Sequence, residues 1–343
     1  MKQPLFVLSI LIFLLCFVAA AQTPRNSATD ISLQRLEREI ARMAKSAGGT
    51  VGVSAVHIES HRSVSFNGSE RFPMASNYKV PIAVQLLSRV DQGQVKLDQM
   101  VELKPSDIRP NGTIRSLLSK PGLSLSVRNL LELMLLVGDN SAADVLLRIA
   151  GGPEAVKARM RVLNIENLDV SRPVINLMAD SVGIRLPPEQ EWTPELLDKL
   201  YETTTPESRK AATVKWELDP RDTSTPDAMA ALFVRIQRKD LLKAESAELL
   251  LDGLLRNQDG DTRLKGMLPA ETVVAHKMGT LGRTTNDVGI ITLPDAAGHI
   301  AIAVFVKSSD RDMPERERAI AQITRAIYDY FLFQQTTPLT VIQ

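Results

Sequence analysis

Hydrophobic and polar residues alternate with a period of two over 50–58, and this segment is rich in residues that favour strands. The segment 63–66 follows, and Asn67-Gly68 then supplies a turn. Three further segments rich in apolar and β-branched residues lie in the C-terminal part. Because such residues fit a pleated sheet, each segment predicts a β-strand. The predicted strands are 50–58, 63–66, 272–277, 287–293 and 299–306.

The middle of the chain and both flanks show the period of about 3.6 residues that is typical of amphipathic helices. The segment 126–136 is apolar nearly all round, which predicts a buried helix. The segment 173–214 is less regular and predicts one short helix, at 194–201. The predicted helices are 30–44, 80–90, 126–136, 141–149, 154–163, 194–201, 225–238, 244–255 and 316–333.

The order of these elements predicts an α+β fold. Strands from both ends of the chain form one antiparallel sheet, flanked by the N- and C-terminal helices, and the middle forms an all-helical subdomain. We predict one catalytic domain at 30–333, with an α/β subdomain made of 30–70 and 266–333 and an all-α subdomain at 71–265. A cleft between two such subdomains is where active sites are commonly found.

Composition and charge narrow the range of functions. The 343 residues carry a net charge of +1, which gives no electrostatic case for binding nucleic acid or an anionic membrane. The four histidines are scattered without the spacing of a metal site, and His276 is interpreted as a strand side chain. We therefore expect no metal, no other cofactor and no nucleic-acid partner.

The first 21 residues have the pattern of a secretory signal peptide. Lys2 precedes an apolar run at 5–18, and small residues at 19–21 form a cleavage signal. We expect cleavage near Ala21 and a periplasmic or secreted protein. An uncleaved membrane anchor and lipid attachment at Cys16 are alternatives. Cys16 is the only cysteine, so the mature chain would contain no disulfide.

Ser76 and Lys79 form the candidate catalytic pair. They have Ser-x-x-Lys spacing at the start of a predicted helix, where residues three apart share a face. A serine hydroxyl needs a group that takes its proton, and a lysine can do so when burial or nearby positive charge keeps it neutral. The spacing also occurs by chance, so by itself it does not establish catalysis.

Three further stretches change that picture. They are 138–140 (Gly-Asp-Asn), 221–230, and 277–280 (Lys-Met-Gly-Thr) at the end of a predicted strand. With the Ser-x-x-Lys pair they resemble, in order and spacing, the class A serine β-lactamase family of penicillin-recognising serine enzymes. The resemblance covers about residues 30–333. It implies a β-lactamase/transpeptidase-like fold, a hydrolase that opens small-molecule β-lactams, and a monomer.

The resemblance also implies a role for each residue of the site. Ser76 is the acylated nucleophile, and Lys79 is its base or proton relay. The backbone N–H groups of Ser76 and Thr280 form the oxyanion hole, which stabilises the charge of the tetrahedral intermediate. Lys277 orients the substrate carboxylate, while Asn140 holds the substrate amide or Lys79. The implied substrate-binding residues are Asn140, Lys277, Gly279 and Thr280.

Three other residues have implied structural roles. Asp139 accepts hydrogen bonds from nearby backbone N–H groups. Arg172 and Asp222 form an ion pair that ties the two ends of the family's omega-shaped loop.

The chain departs from the family pattern at three places. Gly138 replaces a serine that passes a proton to the departing ring nitrogen, and Met278 replaces a hydroxyl that binds the substrate carboxylate. Losing one such bond to a charged group costs about 1.5–3 kcal/mol. Val174 occupies the place of the deacylating glutamate when the loop is aligned on Arg172. Because acylation can use Lys79, we expect the defect to fall on deacylation.

Glu217 is the first candidate for the missing general base, since it follows a basic residue and a tryptophan as in the family. It lies close to Asp222, so this role requires a rearranged loop. Glu207 is the second candidate. Three other functions stay open: a non-hydrolysing homologue that binds β-lactams or cell-wall peptides, a D-alanyl-D-alanine peptidase of the same superfamily, and a purely structural protein.

Overall fold

The structure, a computed structural model, describes residues 30–118 and 122–333. The strands are β1 (Thr50–His57), β2 (Ser63–Phe66), β3 (Phe72–Pro73), β4 (Met100–Glu102), β5 (Ser124–Ser126), β6 (Thr223–Ser224), β7 (Val274–Leu281), β8 (Thr284–Thr292) and β9 (His299–Lys307). The helices are α1 (Ile31–Ala44), α2 (Lys79–Asp91), α3 (Thr113–Leu117), α4 (Val127–Leu136), α5 (Asn140–Ile149), α6 (Gly152–Val162), α7 (Val174–Val182), α8 (Pro194–Glu202), α9 (Pro206–Glu217), α10 (Pro226–Gln237), α11 (Ala244–Leu255) and α12 (Met313–Phe333). The predicted signal peptide at 1–21 lies outside the described residues. Within the described part, no helix is long and apolar enough to cross a membrane.

Five strands form one antiparallel sheet in the order β2-β1-β9-β8-β7. The N-terminal strands therefore pair with C-terminal strands, as the sequence predicted. Strands β7 and β8 reach further than predicted, because their pairing continues from Lys277 opposite Val288 to Leu281 opposite Thr284. This extension places Lys277 inside the sheet rather than at a strand end.

Strand β9 shows that both faces of the sheet are buried. Ile302 and Val304 belong to a hydrophobic cluster with residues of α1 and α12, whereas Ala303 and Phe305 belong to the cluster of the helical middle. A strand buried on both faces reads as a nearly continuous apolar run, as β9 does. Terminal helices on one face and α10 on the other confirm the predicted α+β class. The boundaries between the two subdomains stay a prediction.

The segment 173–214 is more helical than the sequence predicted. It contains α7 and most of α9 in addition to α8, so the expectation of one short helix is wrong. Helix α9 is mostly polar and buries only Trp216 and Glu217, which explains why no apolar period revealed it. Its start is fixed by capping, because Thr205 Oγ1 accepts the Ser208 N–H at 3.1 Å.

Candidate active site

Ser76 lies in a short 3₁₀ turn, Ala75–Tyr78, that leads directly into α2. Ala75 has a φ of +47°, in the left-handed region that an alanine rarely adopts. Such local strain persists only where the surroundings fix it, and it is concentrated at functional sites. Lys79 is the first residue of α2 and follows Ser76 by three positions. Its Nζ therefore lies 3.2 Å from Ser76 Oγ.

The Lys79 amine is fully buried. Its Nζ lies 2.6 Å from Gly138 O and 2.8 Å from Asn140 Oδ1. Burial, and then the charge of Lys277, lower the pKa of Lys79 to about 7. When the amine is neutral it has two N–H donors and one lone pair, so the two carbonyl oxygens can take both hydrogens and leave the lone pair for Ser76. A general base needs this arrangement.

Strand β7 lies against the turn that carries Ser76. Asn77 Nδ2 donates to Lys277 O at 2.6 Å and ties the turn to the strand. A Cβ built on Gly279 would lie 2.7 Å from Met74 O and 3.0 Å from Ser76 N. Only glycine therefore allows the strand backbone to come this close to Ser76.

A pocket of about 260 Å³ lies beside Ser76. Of the predicted site residues, Ser76, Asn140, Lys277 and Thr280 line it, and Lys79 touches Ser76. Gly279 lies against the Ser76 turn, so the structure brings six predicted residues together, and their roles, including the oxyanion hole, stay predictions. The lining residues are Ala75, Ser76, Asn111, Val137, Gly138, Asn140, Val174, Leu177, Met178, Asp259, Lys277, Met278, Thr280 and Leu281.

Gly138 leaves a space that three charged side chains surround. Its φ is +64°, and a Cβ there would lie 3.5 Å from Lys277 Nζ, 3.6 Å from Asp259 Oδ2 and 3.9 Å from Lys79 Nζ. Burial is the main cause that lowers the pKa of Lys277 to about 8. The negative charge of Asp259 acts in the opposite direction and raises this pKa. The pocket therefore contains two weakly basic amines and one facing carboxylate.

Arg263 supports the end of β7, although the sequence analysis did not identify it. Its buried Nη1 donates to Gly279 O at 3.1 Å and to Asn286 O at 2.9 Å, and its Nη2 donates to Thr280 Oγ1 at 2.6 Å. These bonds fix the backbone beside Ser76. No pattern in the sequence marks this residue, because an arginine between a helix and a strand is usually exposed.

Glu217 is placed away from the pocket. Its Oε2 accepts hydrogen bonds from Arg283 Nη2 at 2.7 Å and from Ser308 Oγ at 3.0 Å. Glu207 lies in the exposed first turn of α9. Neither glutamate lines the pocket, and a general base must reach the water that it activates. The structure therefore does not support either residue as the deacylating base.

The wall next to Ser76 on the α7 side is apolar. Val174 lines the pocket, and its N–H donates to Asp144 Oδ1 at 2.6 Å, which fixes the start of α7. Among the described residues that line the pocket, Asp259 is the only carboxylate. No pattern in the sequence marks Asp259, because an isolated aspartate in a polar loop carries no recognisable signal.

The residues with predicted structural roles lie where those roles require. Asp139 Oδ1 accepts the Ala142 N–H at 2.8 Å. Arg172 Nε donates to Asp222 Oδ2 at 2.6 Å, and both side chains are buried. His276 is fully buried in β7, and its Nδ1 is 3.0 Å from an aspartate carboxylate of β8.

The chain is similar to known proteins over nearly all of its described length. A family model described as the beta-lactamase enzyme family matches residues 35–331. Beta-lactamase VEB-1 of Pseudomonas aeruginosa is 26% identical over 90% of this chain and 92% of that protein. Extended-spectrum beta-lactamase PER-1 of the same organism is 30% identical over 87% of each. A solved ancestral class A beta-lactamase superposes with a TM-score of 0.70 at 31% identity, covering 86% of this chain and 99% of that one.

Proposed function

Because the chain belongs to the beta-lactamase enzyme family, we propose that it opens the amide of a β-lactam ring through an acyl-enzyme on Ser76. The observation that carries this proposal is the pair formed by Ser76 and a buried lysine. Lys79 Nζ lies 3.2 Å from Ser76 Oγ, and its pKa of about 7 keeps a large fraction of the amine neutral, and so able to accept the Ser76 proton, at neutral pH.

Acylation then follows from the residues around Ser76. Its Oγ attacks the carbonyl carbon of the ring amide while Lys79 accepts the hydroxyl proton. The carbonyl oxygen gains negative charge beside the backbone N–H groups of Ser76 and Thr280, which act as fixed donors. The carbon–nitrogen bond breaks, and protonated Lys79 returns its proton to the ring nitrogen. The products of this step are a Ser76 ester and a ring-opened amine.

Hydrolysis of a chromogenic cephalosporin by purified protein tests this proposal. Ser76→Ala removes the attacking oxygen, so we expect the rate to fall by at least roughly 10³-fold. Asp261→Asn is the control, since Asp261 is exposed and bonded to Lys265 on the surface. Equal rates in the wild-type protein and Ser76→Ala would contradict acylation of Ser76.

A second step of the proposal is that deacylation is slow. The observation in its favour is the pocket wall, which has Val174 and no glutamate among its described residues. A missing general base costs about 10²–10⁴-fold, and acylation escapes this loss because it uses Lys79. The same observation favours a protein that captures β-lactams rather than turning them over rapidly.

Intact-mass spectrometry separates turnover from capture. After one equivalent of a cephalosporin is added, an adduct on Ser76 that persists for hours supports slow deacylation. Return to the free mass within seconds would contradict it. The ring-opened product in solution must then appear at the rate at which the adduct disappears.

We also propose that the protein acts outside the cytoplasm as a monomer. The support for export is the signal-peptide pattern that ends near Ala21, and the support for a monomer is the family resemblance. N-terminal sequencing of the exported protein should begin at Gln22. Retention of Met1 would contradict export with signal cleavage. Light scattering should give the mass of one chain, and the mass of a dimer would contradict the monomer.

A further inference from the structure

Asp259 has a position in the pocket that acylation of Ser76 does not explain. Its carboxylate lines the pocket, and its Oδ2 faces the space above Gly138, across which lie the amines of Lys79 and Lys277. Among the described residues, no lysine or arginine nitrogen lies within 4.0 Å of this carboxylate. A carboxylate that is held near two amines but paired with neither is available to a bound molecule.

The loop that carries Asp259 is fixed by hydrogen bonds. Asn257 is buried, and its Nδ2 donates to Leu135 O at 2.7 Å. Asn257 Oδ1 in turn accepts the Asp259 N–H at 2.9 Å, and Gln258 N donates to Leu136 O at 2.9 Å. The end of α4 therefore holds the loop, so that the position of the carboxylate is built into the fold.

The charge of Asp259 acts on the part of the substrate that Lys277 would bind. In a cephalosporin the ring carboxylate and the 3′ substituent are attached to adjacent ring carbons. If the carboxylate binds Lys277, the 3′ substituent would lie beside it, and Asp259 is the charged group that shares the space above Gly138 with Lys277. A cationic 3′ group then gains an attractive partner, while a substrate with only the carboxylate meets a like charge.

We propose that Asp259 is a specificity-determining residue that makes the pocket favour zwitterionic β-lactams, with a cation next to the ring carboxylate, over monoanionic ones. This inference rests on the proposed function of the same pocket. It also gives Met278 a consistent meaning. Met278 lacks the hydroxyl that, by the family resemblance, binds the substrate carboxylate, so the pocket holds anionic groups less well.

Binding to a Ser76→Ala background tests the preference without requiring any chemistry. The probes are two cephalosporins with the same acyl side chain, one with a quaternary ammonium group at the 3′ position and one with an acetoxymethyl group. Charges about 5–7 Å apart near a protein surface change affinity by roughly tenfold after screening. We therefore expect the zwitterion to bind about tenfold more tightly, and Asp259→Asn to abolish the difference.

The matched control is Asp261→Asn in the same background. Asp261 lies two residues further along the loop, 3.1 Å from Lys265 and outside the pocket lining, so the preference should persist. Asp259→Ala gives a second removal of the charge, and thermal unfolding checks that each variant is folded. A preference that survives Asp259→Asn, the absence of any preference, or an equal loss of affinity for both probes would overturn the proposal.

Turnover by the protein with Ser76 intact distinguishes this inference from the proposed function. Failure to open either cephalosporin would refute the proposed function, yet a binding preference that depends on Asp259 would still stand. Conversely, rapid opening of both with a ratio of kcat/KM values unchanged by Asp259→Asn would leave the function intact and refute the inference.

Discussion

The two buried lysines of the pocket predict a narrow pH optimum for acylation. Lys79 must be neutral to accept the Ser76 proton, and with a pKa of about 7 it reaches that form as the pH rises. Lys277 must be charged to hold a substrate carboxylate, and with a pKa of about 8 it loses its charge at higher pH. The value of kcat/KM for acylation should therefore rise through about pH 7 and fall above about pH 8.

The environment of Lys79 sets the fraction of its amine that is neutral, and so able to act as a base, at neutral pH. Its pKa falls from 10.5 to about 7, and each step of one in pKa changes the neutral fraction about tenfold. At pH 7 about half of the Lys79 amines are then neutral, compared with roughly one in 3,000 for an ordinary lysine. Burial and the charge of Lys277 together increase the available base by about 10³-fold.

Stopped-flow measurement of acylation from roughly pH 5 to pH 10 checks this profile. Lys277→Arg is the informative variant, because an arginine stays charged throughout this range. The alkaline limb should move to higher pH in this variant, while the acid limb stays in place. An acid limb near the pKa of an ordinary lysine, or a flat profile, would refute the role of neutral Lys79.

Two further variants test the framework of the pocket. Gly279→Ala should slow acylation at least roughly tenfold, because its Cβ would lie 2.7 Å from Met74 O and push β7 from the Ser76 turn; an unchanged stopped-flow rate would count against this. Asp222→Ala should lower the free energy of unfolding by about 1.5–3 kcal/mol, since buried Arg172 loses one of its three carboxylate partners and the Ser171 N–H loses its acceptor. Urea unfolding measures this loss of stability. The exposed control Arg221→Ala should lower the free energy of unfolding by no more than about 1 kcal/mol. Equal losses of stability in both variants would contradict the role of burial.

The sheet and its place in the chain could be predicted because its strands are strongly patterned. The apolar run of β9 reflects burial on both faces of the sheet, and burial is what selects hydrophobic side chains. The Ser76, Lys79 and Lys277 stretches were also recognisable, since their chemistry restricts both residue type and spacing. Those features survive in the sequence regardless of the loops between them.

The remaining features depend on contacts between distant residues. Helix α9 buries few side chains, so its sequence carries a capping signal but no apolar period. Glu217 has the expected local pattern, yet its partner Arg283 lies in another part of the chain and draws it away from the pocket. Asp259 and Arg263 acquire their roles only when their loop packs against α4 and β7. Spacing along the chain does not reveal such contacts.

The covalent state of Ser76 during the reaction tests the central claim most directly. Wild-type protein is mixed with a cephalosporin, and the reaction is quenched in acid within milliseconds. The protein is then digested, and the masses of its peptides are measured by mass spectrometry. If Ser76 is acylated, the peptide that contains Ser76 carries the added mass of the ring-opened cephalosporin, and Ser76→Ala shows no such mass. An unmodified Ser76 peptide while substrate is being consumed, or the same adduct in Ser76→Ala, would contradict it.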